Sequence, residues 1–297
     1  MNINSAGAGD QAGVIVAENL TKVFFTTARV PGRLGAVRSL IRPRRVARTA
    51  VDGVGFRIEP GQLAAFLGPN GAGKSTTIKM LTGILTPTGG RVEVNGLVPH
   101  RSRIANARLV GAVFGQRSQL WWDLPALDSL RVLGDIHGVR PNELRARLAR
   151  FDRILELSAF WDGRARQLSL GQRVRCDLAA ALIHDPPVLY LDEPTIGMDV
   201  VVKEQVREFL REQVEQRGRT VVLTTHDMTE VERLAGRVIL INAGRIAYDG
   251  DLAGLRATHA DAPDPDDLEA VMRRAFATAG ADQDPVALAA DRAVPAG

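Results

Sequence analysis

Cysteine occurs once in this 297-residue chain, as Cys176. One thiol excludes an internal disulfide and any cysteine-rich metal site, and it fits a reducing compartment. It reads as a buried apolar filler rather than a reactive group. Long apolar runs are missing as well. The longest, such as residues 188–191 and 238–241, fall far short of the roughly 20 residues that cross a bilayer, so the chain is not expected to span a membrane by itself. The opening MNINSAGAGDQAG has neither a basic start nor an apolar core, which argues against a secretory signal there and for a flexible N-terminus in a cytosolic protein. Acids are absent from RVPGRLGAVRSLIRPRRVART, which carries Arg33, Arg38, Arg42, Arg44, Arg45 and Arg48. Such a block is either a solvated loop or short helix, or an arm that faces phosphates or lipid headgroups.

What is present suffices for a sizeable core: 45% of residues are hydrophobic and 24% charged. The formal charge of +4 permits contact with an anionic partner without requiring one. GVIVAENLTKVFF and AVDGVGFRIEPG alternate as strands do. QLAAFLGPNGAGKSTTIKMLTGI then reads strand, glycine loop, helix, and further strands are expected at residues 91–94 and 108–114. ALDSLRVLGDIHG and PNELRARLARFDRILEL have helical spacing, the second with Pro at its start. The α/β alternation resumes at PPVLYLDEP, VKEQVREFLREQVEQRG and TVVLTTHD. Buried strands alternating with helices imply a largely parallel sheet covered on both faces. From about Thr258 the composition shifts to Ala, Asp and Pro, so a short helix at DLEAVMRRAFATA and a disordered tail are expected.

Three motifs carry chemistry. GPNGAGKST comprises Gly68, Pro69, Asn70, Gly71, Ala72, Gly73, Lys74, Ser75 and Thr76 and fits a complete phosphate loop. Its glycines let backbone N–H groups face phosphate oxygens, and the helix opening after Gly73 adds its positive end. Lys74 would neutralise the β- and γ-phosphates of ATP, and Ser75 would ligate Mg²⁺. VLYLDEP ends a buried strand in two acids. Asp192 is placed to hold Mg²⁺ beside the phosphate loop, and Glu193 to deprotonate the attacking water. RQLSLGQRVR is the most discriminating of the three.

The order phosphate loop, glutamine, LSxGQ, LDEP and a histidine after a strand resembles the nucleotide-binding subunit of ABC transporters, over residues 14–255. The resemblance implies a P-loop NTPase core of ABC-ATPase type. Its parts would be a largely parallel sheet, an N-terminal antiparallel β subdomain and an inserted α-helical subdomain. The domain would cover 14–257, with a basic insertion at about 33–48, the helical subdomain at about 117–185, and a helix and tail over 258–297. Ser169, Gly171 and Gln172 would grip the γ-phosphate bound to an opposite subunit. Leu170 departs from the usual glycine of that motif but leaves the serine and second glycine in place. His226 would contact the γ-phosphate and steady Glu193. Asp199, in IGMD, would serve subunit communication. Gln116 would reach Mg²⁺ and water, as an amide that both donates and accepts. Phe24 would stack on adenine, with Phe25 as the competing assignment.

The resemblance further implies an ATPase that works as a dimer, with a second copy or a paralogue, on a separate integral membrane permease at the inner face of the membrane. GQRSQLWWDLPALDSL, CDLAAAL, TIGMDVVVKE and the arginine block look like a bacterial branch paired with ABC-2 type permeases, usually exporters. No nucleic-acid partner is expected on that reading. The alternative is a soluble ABC-type ATPase acting on nucleic acid or ribosomes, slightly favoured by the basic charge. Lys74, Asp192, Glu193 and His226 argue against a regulator that has lost hydrolysis. Of the adjacent Trp121 and Trp122, one is expected to pack the helical insert and the other to face a permease groove.

Overall fold

The computed structural model describes residues 14–27, 45–115, 117–264 and 266–281. The expected flexible N-terminus, most of the basic insertion, Gln116 and the expected disordered tail lie outside the described residues. The chain begins with long strands β1 (Ile15–Thr27) and β2 (Arg45–Ile58). It then forms β3 (Leu63–Leu67), α1 (Lys74–Leu81) and β4 (Gly89–Val94). Strands β1, β2 and β4 make an antiparallel three-stranded sheet in the order β2-β1-β4.

After β4 come α2 (Arg103–Leu109) and β5 (Val110–Phe114). Helix therefore occupies the first residues of the strand expected from 108, and pairing with the main sheet begins only at Val110. The helical insert holds α3 (Ala126–Ile136), α4 (Pro141–Leu155) and α5 (Leu170–Ala181). Pro141 opens α4, where its missing N–H costs nothing. β6 (Val188–Asp192), α6 (Val200–Glu215), β7 (Thr220–Thr224) and α7 (Met228–Leu234) return the chain to the core. A hairpin, β8 (Arg237–Asn242) and β9 (Arg245–Gly250), then leads to α8 (Leu252–Thr258) and α9 (Leu268–Ala281).

The second sheet has the order β5-β6-β7-β3-β8-β9, parallel except for the edge strand β9. Its central strands are apolar throughout because both faces are covered. Side chains alternate strictly. Leu189, Leu191, Val221 and Leu223 join the helices of the insert and α6. Val188, Tyr190 and Val222 face the other way, toward α1 and the antiparallel sheet. Phe56 and Phe66 meet edge to face in that second layer, 5.2 Å between centroids. A third cluster joins Ala65, Leu67, Val238 and Leu240 to Leu268, Val271, Met272 and Ala275 of α9. Helix α9 is thus packed on the parallel sheet by the apolar face that its sequence spacing provides.

Cys176 is fully buried in the insert-side cluster, and burial pushes its thiol up to about 12. The filler reading agrees with that environment. Trp121 and Trp122 are 41% and 57% exposed. The expected division of labour between them fails, since neither ring enters the core; the ring that packs against the insert is Trp161. The Trp122 ring instead lies 5.8 Å from the Arg173 guanidinium on α5.

His137, which ends α3, stacks on His184 with centroids 4.0 Å apart and planes 10° from parallel. His184 Nε2 lies 3.2 Å from the Val110 carbonyl at the start of β5, so that ring joins the insert to the sheet edge. Burial, with the neighbouring His137 second, holds the His184 pKa down to about 4. Its unfolded value is near 6.5, so the unfolded chain takes up a proton at this site before the native one does. The stability contributed by the neutral ring is complete above pH 6.5 and is lost as pH falls toward about 4. Urea unfolding at pH 7.5 and 4.5 should show a smaller loss for His184→Gln than for the wild type. An equal loss in both would rule His184 out as a source of the acid sensitivity.

Candidate functional site

The site forms at the carboxyl ends of β3, β6 and β7, neighbours in the sheet. Parallel pairing sets Asp192 opposite Thr224 and Thr224 opposite Phe66. Three chain segments therefore leave the sheet at one level and meet: the glycine loop after β3, the acidic pair after β6 and the histidine after β7. Crevices at strand carboxyl ends are where such sheets bind ligands.

The glycine loop needs its glycines for space. A Cβ on Gly68 would lie 2.1 Å from the Ile241 carbonyl oxygen, and one on Gly73 would lie 2.6 Å from that of Ala50. Gly73 also has φ +115° as it enters α1, a conformation that L side chains rarely adopt. Lys74 is buried, and its ammonium donates to the carbonyls of Gly68 and Pro69. Burial lowers its pKa; Glu193 and Asp192 oppose that shift. A cation held by the loop at the end of a helix N-terminus makes a site for phosphate oxygens.

Asp192 Oδ1 accepts hydrogen bonds from Ser75 Oγ at 3.0 Å and from Thr224 Oγ1 at 2.7 Å. Thr224 Oγ1 in turn accepts from the Glu193 backbone N–H at 3.0 Å, and that N–H also donates to the Thr224 carbonyl. Glu193 has φ +56°, a left-handed conformation for a residue with a side chain. Such strain costs about 1–3 kcal/mol and persists only where surrounding bonds fix it. Here the paired bonds to Thr224 do so. Glu193 Oε2 lies 2.6 Å from His226 Nδ1. The Gly115 N–H donates to the Asp192 carbonyl at 2.8 Å, which brings the segment ahead of Gln116 to the same place.

Two adjoining cavities follow. One, of about 690 Å³, is lined by Gly68, Asn70, Ser75, Asp192, Glu193 and His226 among others. The other, of about 470 Å³, runs from the glycine loop to Phe24, Thr26 and Arg48. Phe24 lines this second cavity, whereas Phe25 does not and is 65% exposed. The donor set suits Mg²⁺: Ser75 and Asp192 present hard oxygens to an open, water-accessible cavity, and Mg²⁺ keeps several waters while taking few protein ligands.

Other residues singled out in the sequence stay apart. Ser169 caps α5 in a reciprocal box: its Oγ accepts from the Gln172 N–H, and its N–H donates to Gln172 Oε1. Asp199 caps α6, accepting from the Val202 N–H at 2.9 Å. Neither those three residues nor Gly171 lines the two cavities. The Leu170 side chain leans on the loop before α6, with its Cδ2 3.0 Å from where a Cβ on Gly197 would be. Behind the insert's first residues, Asp177 accepts from Ser118 Oγ and the Gln119 N–H, and burial pushes its carboxyl up to about 6.

Sequence reasoning missed Thr224 and Arg48. The first was visible in LTTHD, but only the β6–β7 register shows that it reaches Asp192. Arg48 was read only as part of a basic block. The β1–β2 register pairs it with Phe24, which turns it toward the glycine loop.

Comparison with known proteins agrees with this geometry. Residues 51–196 match the family model described as ABC transporter. Nod factor export ATP-binding protein I of Paraburkholderia xenovorans is 39% identical over 212 residues, covering 71% of this chain and 69% of that protein. ABC transporter ATP-binding protein NatA of Bacillus subtilis is 32% identical over 206 residues, covering 69% of this chain and 83% of its own. Among solved structures, a dimeric ATP-binding cassette in a post-hydrolysis state with ADP and phosphate superposes with a TM-score of 0.66. It is 26% identical and covers 80% of this chain and 98% of its own. These matches choose between the two functional classes expected from the sequence: the chain belongs to the ATP-binding, ATP-hydrolysing subunits of ABC transporters.

Proposed function

We propose that this subunit hydrolyses Mg·ATP between two cassettes and drives a separate ABC-2 type export permease from the inner face of the membrane. The observation that carries the reading is the division of the site. One cluster assembles at the carboxyl ends of the strands, while Ser169 and Gln172 cap one helix, Gly171 lies in its first turn and Asp199 caps another, all outside the cavities. A second copy or a paralogue bringing its own LSLGQ helix to the open cavity completes the enclosure. The relatives named for Nod factor export, and the dimeric form of the similar cassette, support the export and dimer parts. Among the described residues no helix is long and apolar enough to cross a membrane.

Each residue has a chemical task. Phe24 offers a π face to adenine, and the glycine loop with Lys74 holds the phosphates. Mg²⁺, held by Ser75 and Asp192, supplies charge neutralisation on the phosphates when bound. Glu193 takes the proton of the attacking water through the carboxylate oxygen that His226 leaves free, and His226 keeps the other oxygen oriented. Gln116, outside the described residues, follows Gly115, whose N–H binds the Asp192 carbonyl. Its proposed place beside metal and water is consistent with that tether. The exposed Trp121, Trp122 and Leu124 at the head of the insert offer apolar surface to the permease.

Three outcomes test this reading. Glu193→Gln should abolish turnover and give an ATP-dependent dimer on gel filtration; turnover at the wild-type rate would remove Glu193 as the base. Thr224→Val keeps the shape but deletes both side-chain hydrogen bonds. It should lower kcat about tenfold and stability by about 1–2 kcal/mol, read from Mg²⁺-dependent ATP turnover and urea unfolding. Trp121→Ala should leave turnover by the isolated chain within about twofold while weakening co-purification with the permease. Full retention of the permease by that variant would count against the docking role.

A further inference from the structure

Glu230 stands outside every motif discussed above, yet its carboxyl group is among the most buried polar groups in the protein. It is 1% exposed, on the first turn of α7. Thr195 Oγ1 donates to its Oε1, and Thr225 Oγ1 donates to its Oε2 at 2.7 Å. Both threonines are themselves buried. No cation pairs with Glu230 among the described residues. A buried carboxyl group is costly, and an apolar side chain would fill the volume without that cost. What the carboxyl group adds is two directed bonds at a fixed spacing.

The spacing matters because of what the threonines carry. Thr195 lies two residues after Glu193, in the loop leaving β6, and Thr225 immediately precedes His226, in the loop leaving β7. Glu230 therefore clamps the two loops that deliver the Glu193 carboxylate to the His226 ring, 2.6 Å apart. The clamp is braced further. Thr225 Oγ1 accepts from the Asp227 N–H at 3.0 Å. Asp227 caps α7 and binds Lys203 Nζ at 2.7 Å, with Arg207 at 3.8 Å, so the loops are tied to α6 as well. The left-handed turn at Glu193 is held on one side by Thr224 and on the other by this second anchor two residues on.

We propose that Glu230 is a positioning residue for ATP hydrolysis, joining the Thr195 and Thr225 hydroxyls so that Glu193 and His226 stay in reacting register. The proposal rests on the reading that Glu193 is the base. Glu230 lines neither cavity of the site, so its removal acts on kcat and spares ATP binding. Misplacing a reacting group by about 1 Å costs on the order of 100-fold in rate, and a hydroxyl link accounts for part of that.

The test uses the full chain, with Glu230→Leu, Glu230→Gln, Thr195→Val and Thr225→Val compared by ATPase kinetics and thermal unfolding. Glu230→Leu should lower kcat about 30-fold and each valine variant about tenfold, with KM for ATP within about twofold of wild type. Glu230→Gln should recover a large part of the loss, because an amide still accepts from one hydroxyl and donates to the other once that hydroxyl turns. Adding Thr225→Val to Glu230→Leu should cost nothing more, since both break one network. Four results would overturn the proposal: a wild-type kcat in folded Glu230→Leu, a rise in KM at constant kcat, additive losses, or activity loss that only follows the unfolded fraction. If Glu230→Leu does not fold, Glu230→Gln and the two valine variants decide the matter alone. Glu193→Gln is the control: wild-type turnover there would overturn the reading of the base, whereas loss there together with intact valine variants would overturn only the clamp.

Discussion

The parallel register of β6, β7 and β3 is the constraint on which the rest of the site depends. A slip of one residue between β6 and β7 would turn Thr224 away from Asp192 and break the bond that links them at 2.7 Å. It would also remove the two contacts that hold Glu193 in a left-handed turn. The register is secured by alternating burial, because each central strand sends successive side chains into two different apolar layers. Apolar packing on both faces thus sets the position of polar groups at the strand ends.

That division explains what could be read in the residues alone. The glycine loop, the acidic pair and the histidine sit in short contiguous stretches whose chemistry is local, so GPNGAGKST, LDEP and LTTHD announce a phosphate-handling α/β fold. Thr224, Arg48 and Glu230 depend on which residue faces which across strands or loops distant in sequence. The helix Arg103–Leu109 hid because an apolar–polar alternation running into β5 overlaps its last residues. The tryptophan pair misled for a different reason. Adjacent rings suggest one packed inward and one facing out, but the backbone there pairs with residues 164–166 and leaves both at the surface.

The LSLGQ helix shows how a departure from a common pattern is accommodated. Leu170 occupies a position where glycine is usual, and its side chain finds its contact in the loop that carries Asp199 rather than in the Ser169 cap. The capping box stays complete, so the helix terminus keeps its geometry. The segment assigned by resemblance to the opposite nucleotide and the loop assigned to subunit communication are therefore packed on each other within one chain.

The chain's three tryptophans, Trp121, Trp122 and Trp161, all belong to the helical insert, and the nucleotide core has none. Intrinsic fluorescence excited at the indole band therefore comes from the insert alone, with no background from the ATP-handling sheet. Trp121 and Trp122 are solvated, and the latter lies beside the Arg173 guanidinium, while Trp161 is partly buried against the insert's apolar cluster. The three emitters thus differ in polarity from the outset. The protein carries its own optical gauge of insert movement, and no dye need be attached to follow it through a catalytic cycle.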